Sequence, residues 1–320
     1  MEIKKVGIVG AGAMGSGIAE VLILNGVDVI LKDQNLQLAE RGKQNVKKYL
    51  AEMEKYVRNL PEREIKRLEK YGIKLTGEQE KILRGNLPIP PDVDKLMKNL
   101  KTTDTFDDFR DRDLVIEAVF EEQGVKNALF HEISDYLKDD AIMASNTSSL
   151  NITEMASHYK HPEKAIVIHF FNPAYLMPLI EIVPATQTDE NVVKSVMEFF
   201  KGKRNNRDEM VPIRAKESPG FVVNRILIPM ITEAVKVVES GVADYETVDI
   251  GMKKGAGMPM GPFELADYVG IDIVYHVMES FRRDLGDFYM PPRTLKHLVD
   301  AGWIGIKSGK GFYDHRETQK

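Results

Sequence analysis

Of the seven histidines in this 320-residue chain, His169 has the setting that proton transfer needs: it closes the apolar strand pattern AIVIHF, directly before FNP. His131, His158 and His161 lie in polar helical or loop surroundings, and His276, His297 and His315 in a helical second half. Twelve residues after His169, Glu181 stands in the middle of LIEIV, where a carboxylate is costly to bury without a partner. Pairing the two runs as an antiparallel hairpin about Tyr175 sets Glu181 opposite His169. A carboxylate there fixes the imidazole tautomer and stabilises the imidazolium formed when the ring takes a proton. The pair reads as a general base and its partner. Asn146, Ser148 and Asn172 follow strand patterns on the same expected face, and each can hold a carbonyl or hydroxyl in place. Asn224, inside the apolar run GFVVNRILIP, reads as a buried polar group in need of a partner.

A base that removes a hydroxyl proton is useful where something accepts a hydride, and the start of the chain offers that. In VGIVGAGAMGSGIA, Gly10, Gly12 and Gly15 have G-x-G-x-x-G spacing between an apolar strand pattern and a helical one. Gly10 permits the turn, Gly12 lets the backbone approach a pyrophosphate, and Gly15 lets helix and strand pack closely. Ala11, Ala13 and Met14 complete the turn, and the helix that begins there points its N-terminus at an anion. The next strand, VDVILKD, ends at Asp33, 18 residues beyond Gly15, where a ribose-binding carboxylate belongs. A carboxylate repels a 2′-phosphate, and Gln34 and Asn35 follow without an arginine, so the expected cofactor is NAD rather than NADP.

The elements that must position these residues read as α/β. Residues 36–100 form a long, polar, helical excursion, after which strand patterns resume at 111–120, 141–146, 165–170, 179–183 and 211–216, with a helix at 125–137. Alternating strands and helices imply a doubly wound, Rossmann-type sheet over residues 1–216. KESPG then breaks the pattern, and residues 217–320 read as an all-helical domain with helices at 221–240, 245–254, 262–285 and 294–299. The third of these carries more apolar residues than one core stripe requires, which suits either a buried core helix or a dimer interface. The expected substrate cleft lies between the two domains.

Composition narrows the classes. A net charge of −5 argues against nucleic acid as the main partner, and no apolar run reaches membrane-spanning length. Without cysteine there is no thiol catalysis, disulfide or cysteine-bound metal, and no metal cluster is expected; a cytoplasmic protein is. Between residues 41 and 84 there are 13 lysines and arginines against 7 glutamates, which reads as a solvated helical face or as a basic arm for a polyanionic substrate.

Taken together, GIVGAGAMGSGIA, ASNTSSL, IHFFNPAYLMPLIEIV, SPGFVVNR, GAGMPMGPFELADYVG and GKGFY resemble the L-3-hydroxyacyl-CoA dehydrogenase family, in family order and over nearly the whole chain. The resemblance implies an NAD-binding domain, a helical domain that dimerises, and reversible oxidation of an (S)-3-hydroxyacyl-CoA to a 3-oxoacyl-CoA. By position it implies His169 as general base with Glu181 as partner, and Ser148 and Asn224 as substrate-positioning residues. Asn172 is implied as a further polar contact to substrate and cofactor. Gly10 to Gly15, Asp33, Glu121, Lys126, Ser148 and Lys307 fall at cofactor-contacting positions, and Asn146 is grouped with them. The excursion at 36–100 is longer than the family pattern, and no CoA-contacting residue is assigned there. A relative acting on free sugar acids, akin to gulonate dehydrogenase and lambda-crystallin, is the nearer rival reading, and a non-catalytic protein on the same scaffold the other.

Overall fold

The computed structural model describes residues 2–316 and divides the chain into two compact units, one running to Glu217 and the other beginning at Ser218. In the first unit the chain runs β1 (Lys5–Val9), α1 (Ala13–Leu24), β2 (Asp28–Lys32), α2 (Leu36–Arg58), α3 (Leu60–Lys70), α4 (Gly77–Asn86), α5 (Val93–Leu96) and β3 (Leu100–Thr103). It continues through β4 (Leu114–Glu117), α6 (Gln123–Ile133), β5 (Ile142–Ser145), α7 (Ile152–Ser157), β6 (Ala165–Phe170), β7 (Leu179–Pro184), α8 (Glu190–Phe200) and β8 (Val211–Arg214).

The eight strands form one sheet in the order β3-β2-β1-β4-β5-β6-β7-β8. All neighbours are parallel except β6 and β7, which pair antiparallel. This is the doubly wound, Rossmann-type sheet that the alternation predicts. The winding reverses between β1 and β4, and ligands in such sheets bind outside the strand C-termini at that reversal. The inner strands are buried along their length, as parallel strands covered on both faces must be: Leu114, Val115 and Ile116 of β4 and Ile142, Met143 and Ala144 of β5 are fully inaccessible.

The long polar stretch after Asp33 resolves into four helices and an edge strand. Asn35 caps α2 by accepting from the Leu38 N–H, and α2 buries Ala39, Val46 and Leu50 on one stripe. The Val46 and Leu50 side chains each contribute about 1.5–3 kcal/mol of burial. Helices α3 and α4 bury no residue, and they are joined by an Arg84–Glu62 ion pair of 2.8 Å. No strand is expected between the helical excursion at 36–100 and the strand at 111–120, and the structure adds one there. LKTT forms β3 beside β2, burying Leu100 and Thr103 while Lys101 faces solvent. Four residues, three of them polar, give no strand periodicity, and pairing with β2 is what makes the segment extended.

The second unit contains α9 (Val223–Glu239), α10 (Tyr245–Gly255), α11 (Pro262–Val269), α12 (Ile271–Leu285) and α13 (Arg293–Asp300). The helix expected over 262–285 is two helices, broken at Gly270, whose φ of 109° lies outside the helical region. Its apolar excess belongs to the unit's own core: Phe263, Ala266, Ile271, Val274 and Val277 are buried with Ile231 and Val235 of α9 and Leu295 of α13. Two buried carboxylates fasten this unit. Asp249 accepts from the Phe263 and Glu264 N–H groups and from the Tyr313 hydroxyl, capping α11. Asp267 accepts from the N–H groups of Phe312 and Tyr313, drawing in the end of the chain.

Candidate active site

The glycine turn sits at the reversal of the sheet. Gly10 has φ 100°, and a Cβ there would lie 2.6 Å from the Ala118 carbonyl at the end of β4. Its N–H donates to Lys32 at the end of β2, so the turn is tied to both neighbouring strands (2.8 Å). Gly15 has no room for a side chain, because a Cβ would stand 1.8 Å from the Gly10 carbonyl oxygen. Gly12 is the opposite case: nothing lies within 4 Å of its absent Cβ. The first glycine is needed for conformation and the third for packing, and the second leaves open space at a helix N-terminus. Gly12 is the N-cap of α1 and brings no side chain to cap it, so the N–H groups around Ala13 and Met14 face that opening. Such an opening fits a diphosphate.

Asp33 stands one residue beyond β2. Its Oδ2 accepts from the Ala11 N–H at 2.7 Å and its Oδ1 from the Gln34 N–H at 2.7 Å. The carboxylate is therefore held beside the glycine turn with lone pairs left for ribose hydroxyls. Glycine turn, diphosphate opening and anchored acid together fit NAD. Asp33→Ala is expected to raise the ratio of catalytic efficiencies with NADP and NAD about tenfold or more, the worth of a charge-assisted hydrogen bond. Steady-state kinetics with both cofactors measure it, and an unchanged ratio refutes the assignment.

On the other side of the reversal, the ends of β4 and β5 are built around Glu117. This carboxylate is fully buried at the last position of β4 and receives the Lys126 ammonium at 2.8 and 2.9 Å and the Ser145 hydroxyl. The Lys126 ammonium also lies 3.2 Å from Glu121 Oε2. Glu121 in turn accepts from the Thr147 hydroxyl (2.6 Å) and the Ser148 N–H (3.0 Å), setting the loop after β5. Asn146 accepts from the Phe170 N–H at 2.9 Å and so joins the end of β5 to the end of β6. Lys126 was expected at the site, but its pairing with Glu117, and the parts played by Ser145 and Thr147, were not legible. The available signal was a glutamate ending an otherwise apolar strand, nine residues before a lysine on the following helix.

Replacing Lys126 with methionine leaves Glu117 buried without its cation. Loss of one partner of a buried pair is expected to cost about 3–5 kcal/mol. Urea unfolding measures this, and the double change with Glu117→Gln is expected to recover part of the loss. A cost under about 1 kcal/mol in the single variant refutes the account.

His169 is the penultimate residue of β6. The β6–β7 register opposes it to Glu181, as the hairpin reading predicts, and also pairs Ile168 with Ile182 and Phe170 with Ile180. The His169 Nδ1 lies 2.8 Å from Glu181 Oε2, with His169 buried and Glu181 fully inaccessible. A carboxylate accepts, which suits Nδ1 as the donor in this contact. The Phe171 ring packs 4.6 Å from the imidazole. Asn172 is exposed in the connection that follows, and Ser148 is half-buried after β5.

The parallel strands thus bring Gly10–Gly15, Asp33, Glu121, Lys126, Asn146, Ser148, His169 and Asn172 to one edge of the sheet. Asn224 and Lys307 belong to the second unit. Asn224 is not the buried group expected: it is the second residue of α9 and half-exposed, since the first turn of the helix leaves it at the surface. Lys307 pairs with Asp272 at 2.7 Å.

Fold and site define an NAD-dependent oxidoreductase with a doubly wound cofactor domain followed by a helical one. Residues 5–217 match the NAD-binding domain, and residues 220–315 the C-terminal domain, of 3-hydroxyacyl-CoA dehydrogenase. The chain belongs to the 3-hydroxyacyl-CoA dehydrogenase family. It is 38% identical to the 3-hydroxybutyryl-CoA dehydrogenase of Bradyrhizobium diazoefficiens, covering 98% of this chain and 96% of that one. It is 33% identical to the human mitochondrial hydroxyacyl-coenzyme A dehydrogenase, covering 98% and 92%. Among solved structures, the (S)-3-hydroxybutyryl-CoA dehydrogenase of Ralstonia eutropha superposes with a TM-score of 0.78 at 34% identity, covering 98% and 99%. No helix among the described residues is long and apolar enough to cross a membrane.

Proposed function

We propose that the protein oxidises a short-chain (S)-3-hydroxyacyl-CoA, such as 3-hydroxybutyryl-CoA, to the 3-oxoacyl-CoA, reversibly and with His169 as general base. The observation that carries this reading is the buried His169–Glu181 pair, 2.8 Å apart, on the same sheet edge as the glycine turn. NAD, when bound, supplies the hydride acceptor, held by Gly10, Ala11, Gly12, Ala13, Met14, Gly15 and Asp33, with Glu121, Lys126 and Asn146 on the far side of the reversal. The Nε2 of His169 takes the proton of the C3 hydroxyl, and Glu181 stabilises the imidazolium so formed. Ser148 and Asn172 hold the substrate oxygen while the proton leaves. In the reverse direction the imidazolium returns its proton to the C3 oxygen. For Asn224 and Lys307 we retain the roles implied by the family pattern, substrate positioning and cofactor contact. An acyl-CoA carries several phosphate charges, and the 13 basic residues between 41 and 84 suit such a polyanion.

The relatives named 3-hydroxybutyryl-CoA dehydrogenase support the acyl-CoA reading over that of a free sugar acid. NADH oxidation with acetoacetyl-CoA, longer 3-oxoacyl-CoAs and a free 3-oxo acid, side by side, tests it. Turnover of acetoacetyl-CoA well above the others is expected, and preference for the free acid overturns the reading. A cytoplasmic homodimer completes the proposal. Apolar side chains left exposed on the second unit, Ile226 at 68% and Ile250 at 58%, support self-association, and light scattering at micromolar protein measures it.

A further inference from the structure

The second strand ends on a buried lysine that the chemistry above does not use. In β2 the alternation sets Ile30 and Lys32 on one face, and Lys32, at the last position, is only 8% exposed. Its ammonium has two contacts among the described residues. One is the Asp33 carbonyl oxygen, 3.2 Å away, and the other the face of the Phe106 ring, 4.2 Å from the centroid. Neither is a carboxylate. The other buried lysine of this unit, Lys126, is matched by Glu117 at 2.8 Å. Taking an ammonium out of water is costly, and at Lys32 a carbonyl dipole and a ring face offset it.

The ring is a fixed seat. Phe106, in the connection after β3, is buried against Phe109 and Tyr136, with centroids 5.9 and 5.6 Å apart. Phe109 in turn fills the space beside Gly7 of β1, where a Cβ would stand 2.3 Å from the ring.

The carbonyl that Lys32 holds is one the sheet leaves unused. The β2–β3 register ends with Lys32 opposite Thr103, so Asp33 lies beyond the ladder. No backbone N–H among the described residues donates to its carbonyl. The peptide before Asp33 is held by the Gly10 N–H, which donates to the Lys32 carbonyl at 2.8 Å. The peptide after it is held at both ends: its oxygen accepts from the Lys32 ammonium, and its Gln34 N–H donates to Asp33 Oδ1 at 2.7 Å. Peptide units are planar, so holding both of them fixes where the Asp33 Cβ points. The carboxylate then reaches the Ala11 N–H at 2.7 Å.

We propose that Lys32 is a positioning residue for cofactor choice. Its ammonium, seated on Phe106, locks the Asp33–Gln34 peptide and so aims the Asp33 carboxylate at the ribose that distinguishes NAD from NADP. This deepens the cofactor reading and rests on the role given to Asp33 above.

Binding of NADH and NADPH to the full-length protein, read by nucleotide fluorescence without acyl-CoA, tests it. Wild type is compared with Lys32→Met, Lys32→Arg, Asp33→Ala and the double variant Lys32→Met/Asp33→Ala. Methionine keeps an apolar stem on Phe106 and removes the donor. Lys32→Met is expected to weaken NADH binding about tenfold, the worth of one charge-assisted hydrogen bond, with NADPH little changed. The preference for NADH then falls by the same factor. Lys32→Arg keeps a cation and donors, and is expected to hold the preference within about threefold of wild type. In the Asp33→Ala background, Lys32→Met is expected to change NADH binding less than about twofold, because the carboxylate it aims is gone.

Equal weakening of NADH and NADPH by Lys32→Met, or unchanged binding of both, overturns the proposal. So does an effect of Lys32→Met that persists undiminished without the Asp33 carboxylate, since the ammonium would then act on the cofactor itself. If Lys32→Met folds poorly, as judged by Tm, Phe106→Leu takes its place by removing the ring face and leaving the lysine. It is expected to lower the preference for NADH about threefold, and an unchanged preference overturns the proposal. Should Asp33→Ala leave the preference intact, the role of Asp33 falls and the proposal with it. An effect of Asp33→Ala with none of Lys32→Met removes the positioning alone.

Discussion

His169→Ala is expected to lower kcat about 10²- to 10⁴-fold while NAD affinity stays within a few-fold, since in the proposed mechanism the ring removes a proton and has no part in holding the cofactor. The loss follows from the geometry. In the proposed mechanism Nε2 is the atom that receives the proton, and the alanine side chain leaves no base in its place. Affinity measured by quenching of NADH fluorescence separates the two effects. The Gly10–Gly15 cradle and Asp33 are held by bonds to β2, α1 and β4, none of which involves His169. Turnover within tenfold of wild type would remove His169 from the base role. A matching loss of NADH affinity would point instead to a collapsed sheet edge.

Glu181→Gln is expected to lower kcat by about 10²- to 10⁴-fold as well, although Glu181 is placed to touch the reaction only through the imidazole. A carboxylate can only accept, which favours the tautomer with the proton on Nδ1 and makes Nε2 the basic nitrogen of the proposed mechanism. A glutamine amide can donate to Nδ1 and admit the tautomer in which Nε2 is protonated and useless as a base. It also removes the negative charge that stabilises the imidazolium formed on proton transfer. The fall is expected in kcat with KM little changed, because the interaction strengthens as the proton moves. Since Glu181 is fully buried and isosteric with glutamine, far-ultraviolet circular dichroism should match wild type. A kcat near wild type would show that His169 is oriented by other contacts.

The legible parts of the molecule are those whose partners are close in sequence or whose residue types are restricted by backbone shape. The glycine turn could be read because Gly10 and Gly15 are positions at which a Cβ collides with backbone at 2.6 and 1.8 Å. The His169–Glu181 register was legible because two apolar runs joined by a short connection have few ways to pair, and the buried glutamate selects one. The less legible parts follow from contacts distant in sequence. LKTT is extended because β2 lies beside it, and nothing in four polar-rich residues says so. The break at Gly270 looked like one helix because a single glycine within an apolar periodic run is commonly tolerated, and only its φ of 109° ends the helix there. Asn224 sits in apolar sequence yet is half-exposed, because sequence neighbours on a helix do not share its face.

By itself, then, the sequence determined the doubly wound cofactor domain, the helical second half, the NAD preference expected from Asp33 and the pairing of His169 with Glu181. Those features are written in glycine spacing, strand alternation and residue type. Only the tertiary structure decided that Lys126 is buried against Glu117, that Asp33 is tied to the Ala11 N–H, and that Glu20 is fully buried on α1. The physical reason is common to all three. What an ionisable side chain does depends on its burial and on the charges beside it, and for these residues both are set by other elements of the fold, up to almost two hundred positions away.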